Sequence, residues 1–499
     1  MSSPNRWLVL AILSSALFLI VIDMTVLYTA LPRLTLDLQA TAKQKLWIVN
    51  AYPLVVAGLL PGLGGLGDRF GHKRMFMGGL AVFGLASLAA AFSPDPQSLI
   101  AARVVLAVGA AMMMPATLSL IRLTFTDESE RALAIGIWAA VASGGAAMGP
   151  VVGGLLLEWF WWGSVFLINV PVVLVALAAA AVLLVNRPAA RAHPFDLIGS
   201  AQAMAGLVGL VYAIKEAGQR TPSWPVAALA LAVGVVAITA FIRRQRTCAD
   251  PLIDLTLFAH PRFASGVVAA LVASAALIGV ELVFSQRLQL VMGLTPLEAG
   301  LMILPIPLAS FVAGPLAGLA LPRIGAGRLL PGALALTAVA LLACLALLGQ
   351  SIWLWLGALA VMGFGVGATM AAASTVIMMS APEDRAGMAA SVEEVSFELG
   401  GALGIAALGS AMTAIYARAM FVPQGLPPRV GDSLDEALMV ASDLASPQAE
   451  ALVVQARGAF DQAFAGVLAL AAVMVAAAAL VVWRRMASPQ ARELRPARH

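Results

Sequence analysis

Charged residues are scarce in this sequence of 499 residues: Asp, Glu, Lys and Arg together make up 11% of it, whereas 61% of the residues are hydrophobic. Soluble domains carry about 25% charged residues. The mean hydropathy of +0.94 points the same way. The composition therefore excludes an ordinary soluble domain and predicts an integral membrane protein.

Cysteine and histidine are rare as well. The two cysteines, Cys248 and Cys344, lie in a predicted loop and a predicted helix, so no disulfide framework is expected. All four histidines fall in predicted loops or in the C-terminal tail, so proton carriers within the membrane are expected to be carboxylates. The sequence has no nucleophile–base set, metal-ligand cluster or phosphate-binding loop, so we expect neither an enzyme nor a metal or nucleotide cofactor.

Apolar runs of about 20 residues, the length that spans a bilayer, recur along almost the whole chain. Fourteen of them are predicted to be transmembrane helices. They lie near residues 8–31, 46–66, 75–92, 98–121, 132–157, 163–185, 197–215, 224–242, 263–286, 298–320, 329–349, 352–378, 387–414 and 460–483. The predicted fold class is therefore an all-α integral membrane protein.

The basic residues predict the orientation of these helices. With the N-terminus inside, 20 of the 30 Lys and Arg residues fall in cytoplasmic loops and tails. An even number of spans then places both termini in the cytoplasm. The same residues account for the pI near 9.4, so no nucleic-acid partner is expected.

An internal repeat divides the chain. The segment from Gly64 to Arg74 follows the second predicted span, and the segment from Gly318 to Arg328 follows the tenth, with Gly, Arg, Gly and Arg in the same register. Parallel repeats of this kind are a known transporter architecture. Two six-helix bundles are therefore predicted at residues 1–190 and 261–499, with two additional transmembrane helices and a linker at 191–260.

One predicted external loop, at about 415–459, is long. Asp432-Ser433 and Ser446-Pro447 are helix-start signals, and apolar residues after each of them have a rough helical periodicity. We predict a short helical hairpin outside the membrane, with a mobile loop as the alternative.

Glycine and proline are concentrated within the fifth predicted span. Five of them lie within ten positions: Gly145, Gly149, Pro150, Gly153 and Gly154. In water each would destabilise a helix by roughly 1–3 kcal/mol, but in a membrane small residues let neighbouring helices approach closely. The segment predicts a kink and a tight contact between helices.

The first predicted cytoplasmic loop combines glycines, an acid and basic residues: Gly64, Asp68, Arg69, Gly71, Lys73 and Arg74. The glycines permit a tight turn. Asp68 is able to accept hydrogen bonds from a helix N-terminus or to pair with an arginine. Anchoring of the loop at the membrane by its basic residues alone is the alternative.

Ionisable residues inside predicted spans are costly and are therefore candidates for function. Asp23 in the first span and Arg103 in the fourth both lie in the outer half of their helices. They are predicted to pair, because an unpaired arginine at that depth is strongly unfavourable. A purely structural ion pair is the alternative.

Carboxylates also occur in the C-terminal half. Glu281 lies in the ninth span, and Glu394 and Glu398 lie four residues apart in the thirteenth, on one helix face. Two carboxylates on one buried face repel each other, and burial disfavours their charged forms. Such a pair can hold a proton near neutral pH and release it when a cation arrives. Glu393 is expected to point elsewhere and to be solvated.

These acids predict a cavity that favours lipophilic cations and is lined by Asp23, Glu281, Glu394 and Glu398. Four aromatic residues are candidates for stacking on flat molecules: Tyr28, Trp138, Phe284 and Phe397. Ordinary helix packing or lipid contact is the alternative for each aromatic residue.

Several of these segments resemble motifs of one transporter family. The segment from Gly145 to Gly154 resembles the antiporter motif GxxxGPxxGG of major facilitator drug exporters, and the segment from Gly64 to Arg74 resembles their loop GxLaDRxGrkr. The segment from Ile22 to Pro32 resembles lDxTvvnvALP of the fourteen-helix exporters, with Tyr28 in place of the usual Asn.

Two further segments carry the resemblance. Arg103 is similar to the Arg of the fourth-helix motif RxxqGxgaa, although Leu106 and Ala107 depart from that motif. The segment from Trp159 to Pro171 resembles the pattern W-x-x-x-F-x-x-N-x-P. It opens the sixth span with a belt of interfacial aromatics, and we interpret it as structural.

The resemblance covers nearly the whole chain and is to the fourteen-helix drug:proton antiporters of the major facilitator superfamily, of the SmvA and QacA type. It implies alternating-access export of quaternary ammonium and biguanide antiseptics and cationic dyes, driven by a proton gradient without a cofactor. It implies proton coupling by Asp23, Arg103, Glu394 and Glu398, and gating by the loop from Gly64 to Arg74. We expect a monomer in the bacterial cytoplasmic (inner) membrane, with small lipophilic cations, protons and lipid as its partners.

Two other functions stay open. One is proton-coupled transport of a metabolite, nutrient or lipid on the same fold, and a symporter of this kind would take up its substrate under an inward proton gradient. The other is a sensor or scaffold that does not transport. The gating loop and the intramembrane acids argue against a scaffold, since buried charges are costly to keep without a function.

Overall fold

The computed structural model describes residues 6–40, 42–185, 196–217, 222–248, 251–382, 385–422 and 426–487. No strand occurs among them. The N-terminal half contains α1 (Arg6–Asp37), α2 (Ala42–Phe70), α3 (His72–Ala91), α4 (Pro96–Thr124), α5 (Glu128–Trp159), α6 (Ser164–Leu167) and α7 (Asn169–Leu183). Two helices follow, α8 (Leu197–Ala217) and α9 (Trp224–Thr247). The C-terminal half contains α10 (Pro261–Gln286), α11 (Pro296–Ile303), α12 (Pro305–Ile324), α13 (Ala326–Ala346), α14 (Ile352–Ser380), α15 (Ala386–Ala419), α16 (Leu434–Ser442) and α17 (Ser446–Ala487).

The predicted all-α membrane fold is confirmed. Among the described residues, 12 helical segments are long and apolar enough to cross a membrane. The other two predicted spans coincide with α5 and with α8, whose apolar stretch Ile198–Ile214 is shorter. The sixth predicted span is divided into α6 and α7, and the tenth into α11 and α12.

The internal repeat is visible in the backbone. α2 and α3 are joined at Gly71, where φ is 94°, and α12 and α13 are joined at Gly325, where φ is 83°. Residues with a side chain rarely adopt a positive φ, so the turn favours glycine in both places. The two glycines occupy the same position in the register that the sequence predicts.

Small residues bring equivalent helices together in the two halves. A Cβ on Gly149 of α5 would overlap the Thr25 hydroxyl of α1, and a Cβ on Gly404 of α15 would overlap the Ala275 carbonyl of α10. Helices in a membrane are held by close packing of this kind, because lipid provides no hydrophobic driving force between them. The tight contact predicted for the fifth span is therefore confirmed, with α1 as the partner.

The two additional helices form a pair, and α8 packs on α2. Asp196 anchors the pair by accepting hydrogen bonds from Arg244 Nε at 2.9 and 2.8 Å and from Gln245 Nε2 at 3.3 Å. Burial alone would raise the pKa of Asp196, but these bonds and one from the Gly199 N–H hold it below its ordinary value. The domain boundary predicted at residue 190 lies outside the described residues.

The region that follows α15 differs in part from the predicted hairpin. A short helix, α16, is present and begins at Ser433, whose hydroxyl accepts from the Glu436 N–H. The predicted second arm is not a separate helix, because α17 runs without interruption from Ser446 through the last span to Ala487. The helix-start signal at Ser446 was correct, but no helix breaker separates that segment from the apolar run after it.

Candidate functional site

The predicted pair of Asp23 and Arg103 is present and fully buried. Arg103 Nη1 lies 2.9 Å from Asp23 Oδ2, with 2% of the arginine side chain and 0% of the aspartate side chain exposed. Arg103 Nε also donates to the carbonyl of Ile48 at 3.2 Å. The pair links α1, α2 and α4, and each charge is compensated at a depth where an unpaired one would be very unfavourable.

Two polar residues that sequence reasoning did not assign complete this cluster. Asn169 Nδ2 donates to Asp23 Oδ1 at 3.1 Å and lies 3.2 Å from Ser87 Oγ. The segment containing Asn169 was interpreted as structural, and the structure adds a buried hydrogen bond from this residue to Asp23. An amide at the start of an otherwise apolar helix was the available signal, because a buried polar group requires a partner.

Tyr52 is the third residue that the sequence did not single out. Its side chain is fully buried, and the Arg103 guanidinium carbon lies 4.7 Å from the centre of its ring. A cation over an aromatic face is attracted by the ring's electron density. Tyr52 therefore adds a cation–π contact to the partners of Arg103.

The segment from Gly64 to Arg74 is not the loop that was predicted: it is the end of α2 and the start of α3, joined at Gly71. Its Asp68 connects the two halves. Asp68 accepts from the backbone N–H groups of Gly387 at 2.9 Å and Met388 at 3.1 Å, which lie in the first turn of α15. A carboxylate at a helix N-terminus satisfies free N–H groups and interacts favourably with the helix dipole. His72 Nε2 lies 3.3 Å from the same carboxylate.

A second contact continues the junction along α2. Ser391 Oγ donates to the carbonyls of Leu60 and Gly387, both at 2.8 Å. A Cβ on Gly64 would overlap the Ser391 hydroxyl. The predicted gating residues Gly64 and Asp68 therefore join the halves directly at this end of the molecule.

The basic residues of the segment from Gly64 to Arg74 do not contact the C-terminal half in the described structure. Lys73 Nζ donates to the carbonyls of Ala181 at 2.8 Å and Leu184 at 2.6 Å, at the C-terminal end of α7. Arg69 lies over the ring of its neighbour Phe70, and Arg74 is exposed. Lys73 thus braces the N-terminal bundle rather than the junction between the halves.

Glu394 and Glu398 lie on the face of α15 that meets the N-terminal half. That face is identified by Gly387 and Ser391, which contact α2, and helical periodicity adds positions 394 and 398 to it. Glu394 is 4% exposed and Glu398 is partly buried. The charge of Glu394 interacts with that of Glu393 most strongly and with that of Glu398 next, so the three carboxylates form one electrostatic group.

Glu393 is not solvated, which corrects the prediction. Its side chain is fully buried on the other side of α15 and accepts a hydrogen bond from Ser374 of α14. Glu393 therefore lies on a face of α15 that α14 covers, and its charge still acts on Glu394.

The remaining predicted substrate residues are dispersed. Glu281 is partly buried in α10, and no ion pair joins it to another described residue. Phe284 packs against Trp355 and Phe464, with ring centres 4.5 and 6.3 Å away, as expected for interior packing.

Two aromatic candidates lie on other helices. Trp138 Nε1 donates to Thr117 Oγ1 at 3.1 Å, between α5 and α4, and Phe397 is partly buried beside Glu398 in the sequence.

The side chains of Tyr28 and Pro150 lie outside the described part of the structure. Gly145 packs on Val21 and Phe18, Gly153 is buried, and Gly154 faces open space.

Comparison with known proteins agrees with this architecture. The family model described as Major Facilitator Superfamily matches residues 13–404. The methyl viologen resistance protein SmvA of Salmonella typhimurium is 41% identical over 494 residues, which is 98% of this chain and 100% of the relative. The multidrug efflux pump LfrA of Mycolicibacterium smegmatis is 40% identical over 486 residues, or 96% of each chain.

Solved structures show the same fold. The human organic anion transporter MFSD10 (TETRAN) superposes with a TM-score of 0.62 at 14% identity, covering 95% of this chain and 100% of that one. The proton:xylose symporter XylE has a TM-score of 0.62 at 12% identity, covering 96% of this chain and 95% of that one. The chain therefore belongs to the major facilitator superfamily and is a multi-pass membrane transporter.

Proposed function

We propose that this transporter exports lipophilic organic cations, including quaternary ammonium antiseptics and dyes, in exchange for protons. Relatives that match it over nearly their whole length are named for methyl viologen resistance and multidrug efflux. The observation that carries the proposal is the buried pair of carboxylates, Glu394 and Glu398, on the face of α15 that meets the N-terminal half.

The sign of the buried charge favours cations. Asp23 is already neutralised by Arg103 at 2.9 Å, whereas the charge of Glu394 is repelled by the charges of Glu393 and Glu398. Two neighbouring carboxylates in a low-dielectric setting cannot both be ionised without compensation. Either protons or a cationic substrate provides that compensation, so the two compete for one site.

The hydrogen bonds from the Gly387 and Met388 N–H groups to Asp68 are here called the latch. In the proposed mechanism, the conformational change opens and closes this latch. Gly387 and Glu398 are 11 residues apart on one helix, a distance of about 16 Å along its axis. A change of charge at Glu394 and Glu398 therefore acts on the same helix whose first turn binds Asp68. Rocking of the two halves about this site gives alternating access. In this proposal the latch end and both chain termini are cytoplasmic, in the bacterial inner membrane, and the protein works as a monomer.

The test uses purified protein in liposomes with a trapped pH dye. Adding tetraphenylphosphonium or benzalkonium to the wild type is expected to move protons, and Glu394→Gln is expected to abolish that movement, because an amide cannot exchange a proton. Glu450→Gln is the matched control, since Glu450 is exposed on α17. Proton movement that persists in a well-folded Glu394→Gln protein would refute the assignment of the site.

Absence of proton movement in the folded wild type would refute cation/proton exchange itself. The candidate substrates would then be metabolites or lipids carried on the same fold.

A further inference from the structure

Glu281 in α10 is an intramembrane carboxylate that the proposed exchange mechanism does not use. Its side chain is only partly buried, and no hydrogen bond or ion pair joins it to another described residue. α10 packs chiefly against α14, α15 and α17 of its own half, and among the described residues no helix of the N-terminal half packs extensively on it. Because a carboxylate that faces lipid at this depth would be strongly unfavourable, the exposed part of Glu281 faces the space between the halves.

The equivalent acid of the N-terminal half is compensated, whereas Glu281 is not. An offset of 254 residues relates Gly71 to Gly325, and it also relates the start of α2 to the start of α11. The same offset takes Asp23 to position 277, one helical turn before Glu281 and on the same helix face. Asp23 has Arg103 of α4 as its partner, but α14, the equivalent of α4, contains neither Lys nor Arg. The C-terminal half therefore leaves its acid open for a cation that is not part of the protein.

The basic residue nearest to Glu281 in the sequence, Arg287, has a different partner. Arg287 Nε donates to Asp461 Oδ1 of α17 at 2.7 Å, and the guanidinium carbon lies 5.4 Å from the centre of the Phe464 ring on the same helix. Arg287 also begins a turn of π-helix that ends at Val291, and π-helical turns are rare and occur frequently at functional sites. The charge of Arg287 is thus compensated on α17 and does not neutralise Glu281.

Two neutral polar residues continue from Glu281 toward the end of α10. Ser285 follows Glu281 by four residues and therefore lies on the same helix face. Gln289 lies in the π-helical turn, and its Nε2 donates to Ser285 Oγ at 3.0 Å. Both side chains are partly buried. Glu281, Ser285 and Gln289 form a polar segment of α10, which we call the outer stripe.

The outer stripe lies further from the latch than the paired carboxylates of α15. Ser274 Oγ donates to the carbonyl of Phe397, next to that pair, at 2.7 Å. A Cβ on Gly279 would overlap the carbonyl of Gly404, so α10 and α15 run in the same direction. Glu281 is seven residues beyond Ser274, a distance of about 10 Å along the helix axis. A cation that leaves the paired carboxylates in the direction away from the latch therefore reaches Glu281.

We infer that the outer stripe of Glu281, Ser285 and Gln289 is a second binding site for the positively charged group of the exported organic cation. This inference rests on the proposed function. Protons displace the cation from the paired carboxylates of α15, and the carboxylate of Glu281 then holds it near the outer end of α10 before release. Ser285 and Gln289 place polar groups beside the carboxylate, where they and water contact the cation.

Equilibrium binding of tetraphenylphosphonium to the purified full-length protein tests this site without transport. Binding is expected to persist in the Glu394→Gln/Glu398→Gln protein, because Glu281 still provides a negative charge. Adding Glu281→Gln to that protein is expected to weaken binding by about tenfold or more, whereas Glu281→Asp, which keeps the charge, should weaken it by about threefold at most. Glu450→Gln is the matched control, since it removes an exposed charge from α17 and should leave the affinity unchanged.

Two results of the binding experiment would overturn the inference, provided that the variants elute as monodisperse protein and melt at the wild-type temperature. One is loss of all binding in the Glu394→Gln/Glu398→Gln protein, and the other is unchanged binding when Glu281→Gln is added to it. A wild type that binds tetraphenylphosphonium through Glu281 but moves no protons in liposomes would refute only the proposed function.

Labelling of a cysteine locates the bound cation. Ser285→Cys, in a protein without the native cysteines, is expected to react with a membrane-impermeant maleimide added from the outer side. Tetraphenylphosphonium is expected to slow this reaction, and to lose that effect when Glu281→Gln is added. Val454→Cys is the control, because Val454 is 72% exposed on α17 and its labelling should not depend on the cation. No labelling of Ser285→Cys from the outer side, or labelling that the cation does not slow, would overturn the inference.

Discussion

Two seams join the halves of this transporter, and they are built differently although the internal repeat relates them. One seam is between α5 and α12. There a Cβ on Gly314 would overlap the Gly136 carbonyl, and a Cβ on Gly318 would overlap the Ala132 carbonyl. The other is between α2 and α15, where Gly64 and Gly387 approach each other just as closely and Asp68 and Ser391 add hydrogen bonds at one end.

The second seam is also covered by one of the two additional helices. Leu54 of α2 and Ala402 of α15 form one apolar cluster with Val211 of α8. The side chains of Trp47 and Tyr212 stack next to it. α8 therefore makes apolar contacts with both α2 and α15, away from the hydrogen bonds of Asp68.

Close glycine packing occurs in both seams, so the difference between them lies in the hydrogen bonds of Asp68 and Ser391. Backbone-to-backbone packing at glycine is strong in a membrane and has no alternative partner. Hydrogen bonds between a carboxylate and a helix N-terminus can be replaced by water at the membrane surface. The two copies of the repeat differ at the position of this carboxylate: the second copy has Pro322 where the first has Asp68. We expect α5–α12 to behave as a hinge and α2–α15 as a gate.

The largest effect is expected from breaking the hinge. Gly314→Leu places a side chain against the backbone of α5, which cannot yield, and is expected to destabilise the protein by about 3 kcal/mol or more. Thermal unfolding in detergent and the yield of monodisperse protein measure this. Gly332→Leu is the control, since a Cβ there meets no atom within 4 Å. Equal tolerance of both substitutions would contradict the assignment of the hinge.

A smaller and more selective effect is expected from opening the gate. Asp68→Ala removes the acceptor for two N–H groups of α15, which weakens the closed latch without disturbing either core. Export is expected to fall roughly tenfold, equivalent to about 1.4 kcal/mol, and a cysteine introduced at Met388 in a protein without its native cysteines is expected to react faster with a maleimide.

Asp95→Ala is a stringent comparison for that experiment. Asp95 caps α4 by accepting from the Ser98 N–H at 2.9 Å, but it does so within one bundle. It is expected to lower stability by about 1 kcal/mol without increasing labelling. If both variants increased labelling equally, loss of a helix cap would explain the result and the latch would not.

The smallest effect is expected at the cover. Asp196→Asn weakens the link between α8 and α9 and is expected to cost about 1 kcal/mol at neutral pH. Because the pKa of Asp196 is lowered in the folded protein, this stabilisation is present above its unfolded value and is lost as the pH falls through the folded value. Melting curves at neutral and strongly acidic pH should therefore converge only in acid. A difference that stays constant with pH would exclude this charge as its origin.

The sequence was sufficient to predict contacts of charged residues where an unpaired charge would be very unfavourable. Asp23 and Arg103 had to be compensated within the membrane, and they are paired. Asp68 was expected either to accept from a helix N-terminus or to pair with an arginine, and it accepts from the first turn of α15. Each of these conclusions required only a residue type, its depth in a span and a rule about charge.

The sequence did not predict in the same way which neighbouring helix covers each face of a given helix. The four-residue spacing of Glu394 and Glu398 showed that they share a face, but not which helices cover the other faces of α15. For that reason the burial of Glu393 against Ser374 was missed, and so was the position of Tyr52 under Arg103. Both depend on contacts between residues far apart in the chain, for which a single helix carries no periodic signal.

The linker after α9 touches both halves at the gate. The Gln245 amide oxygen accepts from the Leu252 N–H at 2.6 Å, and a Cβ on Gly65 would contact Leu252. Asp254 lies 3.5 Å from Arg385, immediately before α15. Any separation of α2 from α15 must therefore also stretch or release this segment. The length of this segment and its contacts limit how far α2 and α15 can separate. A longer or shorter linker is therefore expected to change the extent of that separation during transport.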